Sequence, residues 1–191
     1  MRRISAILTF FITSCTGPRT LDERSLMAYL QDEANGLSQT QNDAGFRIIA
    51  TYRPAQLIAK QQMIGQNVPE FDSLSKFYSM YTYFIIEISK DDEDLETTFA
   101  KEGNDLAMRV GFLSSSFSKN FHIKIGQDVR PIADFIYVRS YGVSASRFLV
   151  VFDSVDLEDF RLVVDGRDLG FGQVNFDFDE SKIKRIPRLH L

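Results

Sequence analysis

Residues 77–89, FYSMYTYFIIEIS, contain the strongest β-strand signal of the chain. They are rich in aromatic and β-branched side chains, which suit the pleated surface of a sheet. From Tyr83 onward the residues are mostly apolar on both of the faces between which strand side chains alternate. We therefore predict a central strand over residues 77–89 that is covered on both sides.

A second strand is predicted upstream, at residues 46–53, FRIIATYR, because apolar side chains recur there at every second position. Pro54 ends this strand and is suited to open a helix over residues 55–64. Further upstream, a capping box that begins at Thr20 and an i, i+3, i+4 apolar spacing predict an amphipathic helix over residues 21–35.

Downstream of residue 94 we predict one helical turn, Leu95–Lys101, and then short strands separated by turn-forming residues. The strand candidates are Leu106–Leu113, Phe121–Ile125, Ile132–Arg139, Arg147–Phe152, Phe160–Asp165, Val174–Phe178 and Lys182–Ile186. Short strands spaced by turns are typical of sandwiches and barrels. The predicted fold is mainly β, of the α+β class: an antiparallel β-sandwich with one or two N-terminal helices.

Composition indicates one globular domain without a metal or cofactor. The 191 residues include 44% apolar and 25% charged residues, and the formal net charge is -4. No basic excess supports a nucleic-acid partner. A single Cys excludes an internal disulfide, and with only two His it excludes a His- or Cys-rich metal site.

The first 15 residues have the organisation of a secretory signal peptide. Two arginines precede an apolar segment, residues 4–12, which is too short to span a bilayer. The segment runs into Ile12-Thr13-Ser14-Cys15, where an aliphatic residue and two small residues precede the cysteine. This tetrapeptide resembles the lipobox of bacterial lipoproteins.

The resemblance implies that the chain is cleaved between Ser14 and Cys15, and that the Cys15 thiol carries a diacylglyceryl group. It divides the chain into a signal peptide (1–14), a lipidated cysteine with its tether (15–20) and a single β-rich globular domain (21–191). Thr16, in place of the aspartate that retains lipoproteins in the inner membrane, implies an outer-membrane location. We expect the domain to face the periplasm.

Motifs for nucleophilic or metal-assisted catalysis are incomplete. Ser-x-x-Lys occurs at residues 73–76 and 116–119, but its companion elements in penicillin-binding enzymes are missing. His122 is predicted to be an exposed strand residue, and His190 is next to the chain end. The acidic run Asp91–Asp94 lacks the spacing of an EF-hand loop, which favours a solvated turn over a Ca²⁺ site.

Tyrosines are the best candidates for a ligand-facing surface, since aromatic rings with a polar edge suit glycan or peptide ligands. The candidates are Tyr78, Tyr81, Tyr83, Tyr137 and Tyr141. Packing between the two sheets is the favoured alternative for them. A basic C-terminal stretch, residues 182–188, suits contact with anionic headgroups, contact with a partner, or an exposed edge strand.

These observations together predict a non-enzymatic binding or assembly component of the bacterial envelope. Its expected partners are the membrane, through the lipid anchor, and an envelope protein. Two alternatives stay open at this point: a carboxylate-dependent envelope hydrolase, whose paired acids would meet only in the fold, and an aromatic-groove module for glycans or peptides.

Overall fold

The computed structural model describes residues 20–63, 68–103, 105–139, 144–155 and 158–191. Within them, two antiparallel sheets enclose a large apolar core, so the predicted mainly β, sandwich-like α+β fold is confirmed. Within the same residues, helices lie both before the strand Tyr81–Lys90 and between later strands.

The strands of the described residues are mostly five to ten residues long, with four shorter ones. They are β1 (Thr20–Leu21), β2 (Ser38–Asp43), β3 (Phe46–Arg53), β4 (Tyr81–Lys90), β5 (Glu93–Asp94), β6 (Phe121–Ile125), β7 (Asp128–Pro131), β8 (Asp134–Val138), β9 (Ser146–Asp153), β10 (Phe160–Asp165), β11 (Gln173–Phe178) and β12 (Arg188–Leu189).

The helices are α1 (Glu23–Gln31), α2 (Ala55–Gln62), α3 (Val68–Tyr78), α4 (Leu95–Lys101), α5 (Leu106–Ser114) and α6 (Glu180–Lys184). Short 3₁₀ turns follow α1 at Glu33–Asn35 and α5 at Ser116–Asn120.

The two sheets pack their apolar faces against each other. The larger sheet has the order β2-β3-β4-β9-β8, with β5 added to β4, and the smaller sheet has the order β11-β10-β6-β7. The core between them contains Phe84 from the larger sheet and Phe178 from the smaller sheet, with ring centroids 5.0 Å apart. β4 is central as predicted, because β3 and β9 pair with it on either side.

A second, smaller core forms where α1, α2 and α3 meet β12. Leu26, Leu30, Leu57 and Phe71 are buried there together with Leu189. The side chains of α1 and α2 lie over part of the outer face of the larger sheet, the face turned away from the smaller sheet. This arrangement creates a cleft between helices and sheet.

Three predicted strand segments are helical in the structure. Residues 77–78 end α3, residues 106–113 form α5, and residues 182–184 belong to α6. Aspartates explain the last two helices: Asp105 accepts a hydrogen bond from the backbone N–H of Met108 (3.1 Å), and Asp179 from that of Ser181 (2.7 Å). Such N-caps satisfy donors that a helix otherwise leaves unpaired.

The first helix is shorter than predicted. Asp22, rather than Thr20, is its N-cap and accepts from the Ser25 N–H at 2.9 Å. Thr20 lies in β1 instead. The helix ends at Gln31 because Asp32 is extended, and Asp32 then caps the following 3₁₀ turn.

Candidate functional site

Three of the predicted ligand-facing tyrosines meet where α3 ends and β4 begins. Tyr83 lies 6.3 Å from both Tyr78 and Tyr81, measured between ring centroids, and Phe77 lies 5.3 Å from Tyr78. We call these four residues the aromatic cluster. Phe77 and the neighbouring Met80 are each 52% exposed, so the cluster continues onto an apolar surface. The sequence placed these tyrosines on one strand, whereas the structure gathers them from a helix and a strand.

Within the aromatic cluster, the Tyr83 hydroxyl is uncharged at neutral pH. Burial, followed by the neighbouring hydroxyls of Tyr78 and Tyr81, raises the pKa of Tyr83 to about 12. A tyrosine hydroxyl in this state both donates and accepts hydrogen bonds. Tyr83 is only 5% exposed, so the accessible rings of the cluster are those of Phe77, Tyr78 and Tyr81. Flat apolar rings with polar edges, as in the two tyrosines, suit sugars and peptides.

A cleft of about 580 Å³ adjoins the cluster at Tyr81, and we call it the tyrosine cleft. Tyr52 and Ile183 contribute apolar surface to it, while Glu158 and Glu180 contribute carboxylates. Burial raises the pKa of Tyr52 to about 12. The volume of the tyrosine cleft is within the range of small-molecule sites.

Of the other two predicted tyrosines, Tyr137 does not join this surface. The Tyr137 ring stacks on Phe148 at 5.1 Å, and its hydroxyl donates to Glu96 Oε1 at 2.7 Å. Tyr137 is therefore packed into the main core and anchored to Glu96, which also accepts two hydrogen bonds from Arg139 (2.9 and 2.8 Å). Tyr141, like Ser14 and Cys15, lies outside the described residues.

The Glu96 contacts predict a pH-dependent contribution to stability. The hydrogen bonds from Arg139, and then that from Tyr137, lower the pKa of Glu96. A lowered folded-state pKa stabilises the fold above the unfolded-state pKa, and this contribution is lost as the pH falls through the folded-state value. We expect Glu96→Gln to cost about 1 kcal/mol at pH 7 and progressively less below pH ~4.

Urea unfolding at pH 7 and pH 3 measures this difference. Glu93→Gln is the matched control, since Glu93 pairs with the exposed Lys101 at the surface. We expect the control to change stability little at either pH. An equal cost of Glu96→Gln at both pH values would contradict the assignment.

The acidic runs are accounted for by turns and caps. Asp91 and Asp92 adopt positive φ angles of 51° and 62° in the turn between β4 and β5. Asp94 caps α4 by accepting from the Thr97 N–H at 3.0 Å, and Asp177 pairs with Arg161 at 2.6 Å. Among the described residues, no group of three or more His, Cys, Asp or Glu side chains is arranged to hold a metal ion.

His122 is half-buried on β6 rather than exposed as predicted. Burial, and then the charge of Lys124, lower its pKa, although Asp165 opposes them. The prediction failed because residues of one strand face were taken as solvated, whereas β7 and β10 pair on both sides of β6 and limit the access of water.

Among the described residues, a buried polar side chain with an unpaired nitrogen lies in a different place, at the end of β3. Arg53 is only 8% exposed, and its Nε has no hydrogen-bond partner. It lines a cleft of about 350 Å³ between α1, α2 and the outer face of the larger sheet, which we call the arginine cleft. The sequence analysis missed Arg53; a cation directly before Pro54 at the end of a strand was the available signal.

Comparisons with protein-family models, curated proteins and solved structures give no match to this chain. In the part of the chain that the structure describes, no helix has both the length and the apolar character needed to cross a membrane. The proposals below therefore rest on the residues and geometry of this chain.

Proposed function

We propose that the chain is a lipid-anchored, non-enzymatic binding component of the bacterial cell envelope. The tetrapeptide Ile12-Thr13-Ser14-Cys15 supports the anchor, with Cys15 as the lipidated residue. In this proposal the domain faces the periplasm from the outer membrane, and its partners are the membrane and an envelope protein.

The observation that carries the proposal is the short stretch of sequence between Cys15 and the first described strand. β1 begins at Thr20, five residues after Cys15, and lies parallel to β12, with Thr20 opposite Arg188. Five fully extended residues span at most about 18 Å. A lipid on Cys15 would therefore hold this end of the domain close to the bilayer surface.

The charge around this end suits a membrane surface. Lys182, Arg185 and Arg188 are exposed in the stretch that leads into and forms β12, while Lys184 pairs with Glu180. A basic side chain near an anionic bilayer contributes about 1 kcal/mol to membrane attraction. In this proposal the basic C-terminal stretch would reinforce the lipid anchor.

A second candidate role, glycan or peptide binding, is favoured by the aromatic cluster. Tyr78, Tyr81 and Tyr83 lie together beside the tyrosine cleft. The exposed side chains of Phe77 and Met80 extend this surface with apolar groups. This role is compatible with the anchor, since a tethered domain can bring a bound glycan or peptide to the membrane.

Cys15→Ala tests the anchor. We expect the wild-type chain to fractionate with membranes and to incorporate radiolabelled palmitate when it is produced in a bacterial host. We expect Cys15→Ala to lose the palmitate label completely, because the thiol that accepts the diacylglyceryl group is absent.

Thr16→Ala is the matched control, because it alters the adjacent residue and keeps the lipobox-like tetrapeptide. It should retain the label and the membrane fraction. If Cys15→Ala still incorporates the label, or if the wild-type chain never does, the anchor proposal is wrong.

A further inference from the structure

We propose that the arginine cleft binds a small monoanionic carboxylate with an apolar body, and that Arg53 holds the carboxylate. This site lies on the opposite face of the larger sheet from the main core and shares no lining residue with the tyrosine cleft. It requires neither the lipid anchor nor the aromatic cluster.

Among the described residues, no carboxylate forms an ion pair with the buried guanidinium of Arg53. Its hydrogen bonding among the described residues consists of one contact, from Nη1 to Met27 Sδ at 2.6 Å, and a thioether is a weak acceptor. Nε has no partner. An ion removed from water without pairing is strongly disfavoured. A carboxylate that accepts two parallel hydrogen bonds from an arginine satisfies this need.

The other charges of the cleft leave one positive charge to neutralise. Arg147 pairs with Glu87 at 2.6 Å, so these two lining residues balance each other. Burial lowers the pKa of Arg53, and the charge of Glu23 opposes this shift, but Glu23 forms no ion pair with Arg53 among the described residues. One unbalanced cation matches a monoanion better than a phosphate dianion.

The walls define the rest of the ligand. The apolar lining consists of Met27, Leu30, Ile58, Ile85 and Leu149, whereas the lining residues Gln31 and Gln61 are exposed and the Thr51 hydroxyl is already bonded to Ser38. These side chains favour an aliphatic body over a sugar or a nucleotide, because they offer few hydrogen bonds to polar groups. The ligand class is therefore a short aliphatic carboxylate or a larger molecule that ends in one.

Hexanoate is the probe, and the experiment uses the full chain purified in detergent. Binding is followed by two-dimensional NMR shifts, with hexan-1-ol and inorganic phosphate as comparison probes. We expect hexanoate to bind roughly tenfold or more tightly than hexan-1-ol, because only the carboxylate pairs with the guanidinium. Phosphate should bind more weakly than hexanoate.

Arg53→Met removes the charge and keeps the length of the side chain. We expect it to weaken hexanoate binding by roughly tenfold or more, and to melt no lower than the wild type, since an unpaired buried cation is gone. Arg53→Lys keeps the charge without the planar donor pair and should bind with intermediate affinity. Arg161→Met, which breaks an exposed ion pair on the other sheet, is the control and should bind like the wild type.

Four results would overturn the proposal. Two concern the wild type: it does not bind hexanoate at concentrations up to about 10 mM, or it binds phosphate or hexan-1-ol more tightly than hexanoate. Two concern Arg53→Met: it binds hexanoate as tightly as the wild type, or its melting temperature is much lower. The last would show that Arg53 supports the fold. The comparison of probes on the wild type needs no variant and tests the predicted ligand class by itself.

Discussion

Phe84→Ala is expected to remove about 3–5 kcal/mol from the free energy of unfolding. The Phe84 side chain is fully buried at 0% exposure, in the centre of β4. Its ring lies 6.1 Å from that of Phe152 in the same sheet, and 6.0 and 5.0 Å from those of Phe160 and Phe178 in the facing sheet. Truncation would therefore remove contacts within one sheet and between the two sheets at once.

Urea unfolding measures the loss, and Phe77→Ala is the matched control. Phe77 belongs to the exposed aromatic cluster, so the same truncation there should cost less than about 1 kcal/mol. Since small domains have total stabilities of about 5–15 kcal/mol, Phe84→Ala should remove about a fifth of the stability or more. Equal losses at the two positions would contradict the core packing between the sheets.

The sheets of the sandwich were largely predictable from periodicity. Residues 46–53, Phe121–Ile125 and Phe160–Asp165 form strands with the predicted bounds. Each pairs with neighbours and buries alternate side chains in the core, which is the pattern that the sequence shows. Strands with one strongly apolar face are recognisable because burial, rather than partner identity, determines their pattern.

Segments whose structure depends on distant partners were not predictable. β2, residues 38–43, contains no apolar side chain and was missed, although it pairs along its whole length with β3. Its Ser38 hydroxyl bonds that of Thr51 at 2.9 Å, and Gln39 donates to the backbone of Asp177 at 2.6 Å. A polar edge strand of this kind is stabilised by the sheet it joins, so its own composition gives no signal.

Apolar runs of eight or nine residues were ambiguous for the opposite reason. Residues 106–113 fit a strand by composition, but α5 buries Leu113 and leaves Met108 exposed, as a helix with one inner face does. A short apolar run is compatible with either structure, and the N-cap at Asp105 is the sequence signal that favours the helix.

The candidate sites show the same division between local and long-range information. The closeness of Tyr81 and Tyr83 follows from alternation on one strand, whereas the approach of Tyr78 requires the turn between α3 and β4. The burial of Arg53 arises from Met27 and the other residues of α1 and α2 that close over the sheet. Such burial cannot be inferred from the strand that carries the arginine.

Gly166→Ala should destabilise the fold by about 2–3 kcal/mol, because the added methyl group has no space. A Cβ at this position would lie 2.0 Å from two ring carbons of Phe171, which is itself buried against Phe46 at 5.0 Å between ring centroids. The backbone cannot easily yield. The Gly166 carbonyl accepts hydrogen bonds from Leu169, Gly170 and Phe171, and its N–H donates to the carbonyl of Gly172.

Gly111→Ala is the control, and its expected effect has the opposite sign. Gly111 is an exposed residue inside α5, and a Cβ there would have no neighbour within 4 Å. Alanine should therefore stabilise this helix by up to about 1 kcal/mol. Thermal and urea unfolding of both variants measure the two effects.

If Gly166→Ala clashes with Phe171 as the geometry requires, then adding Phe171→Leu should recover part of the lost stability, since the loss arises from the contact between these two residues. A Gly166→Ala variant as stable as the wild type would show that the Phe171 ring is free to leave its place beside Phe46.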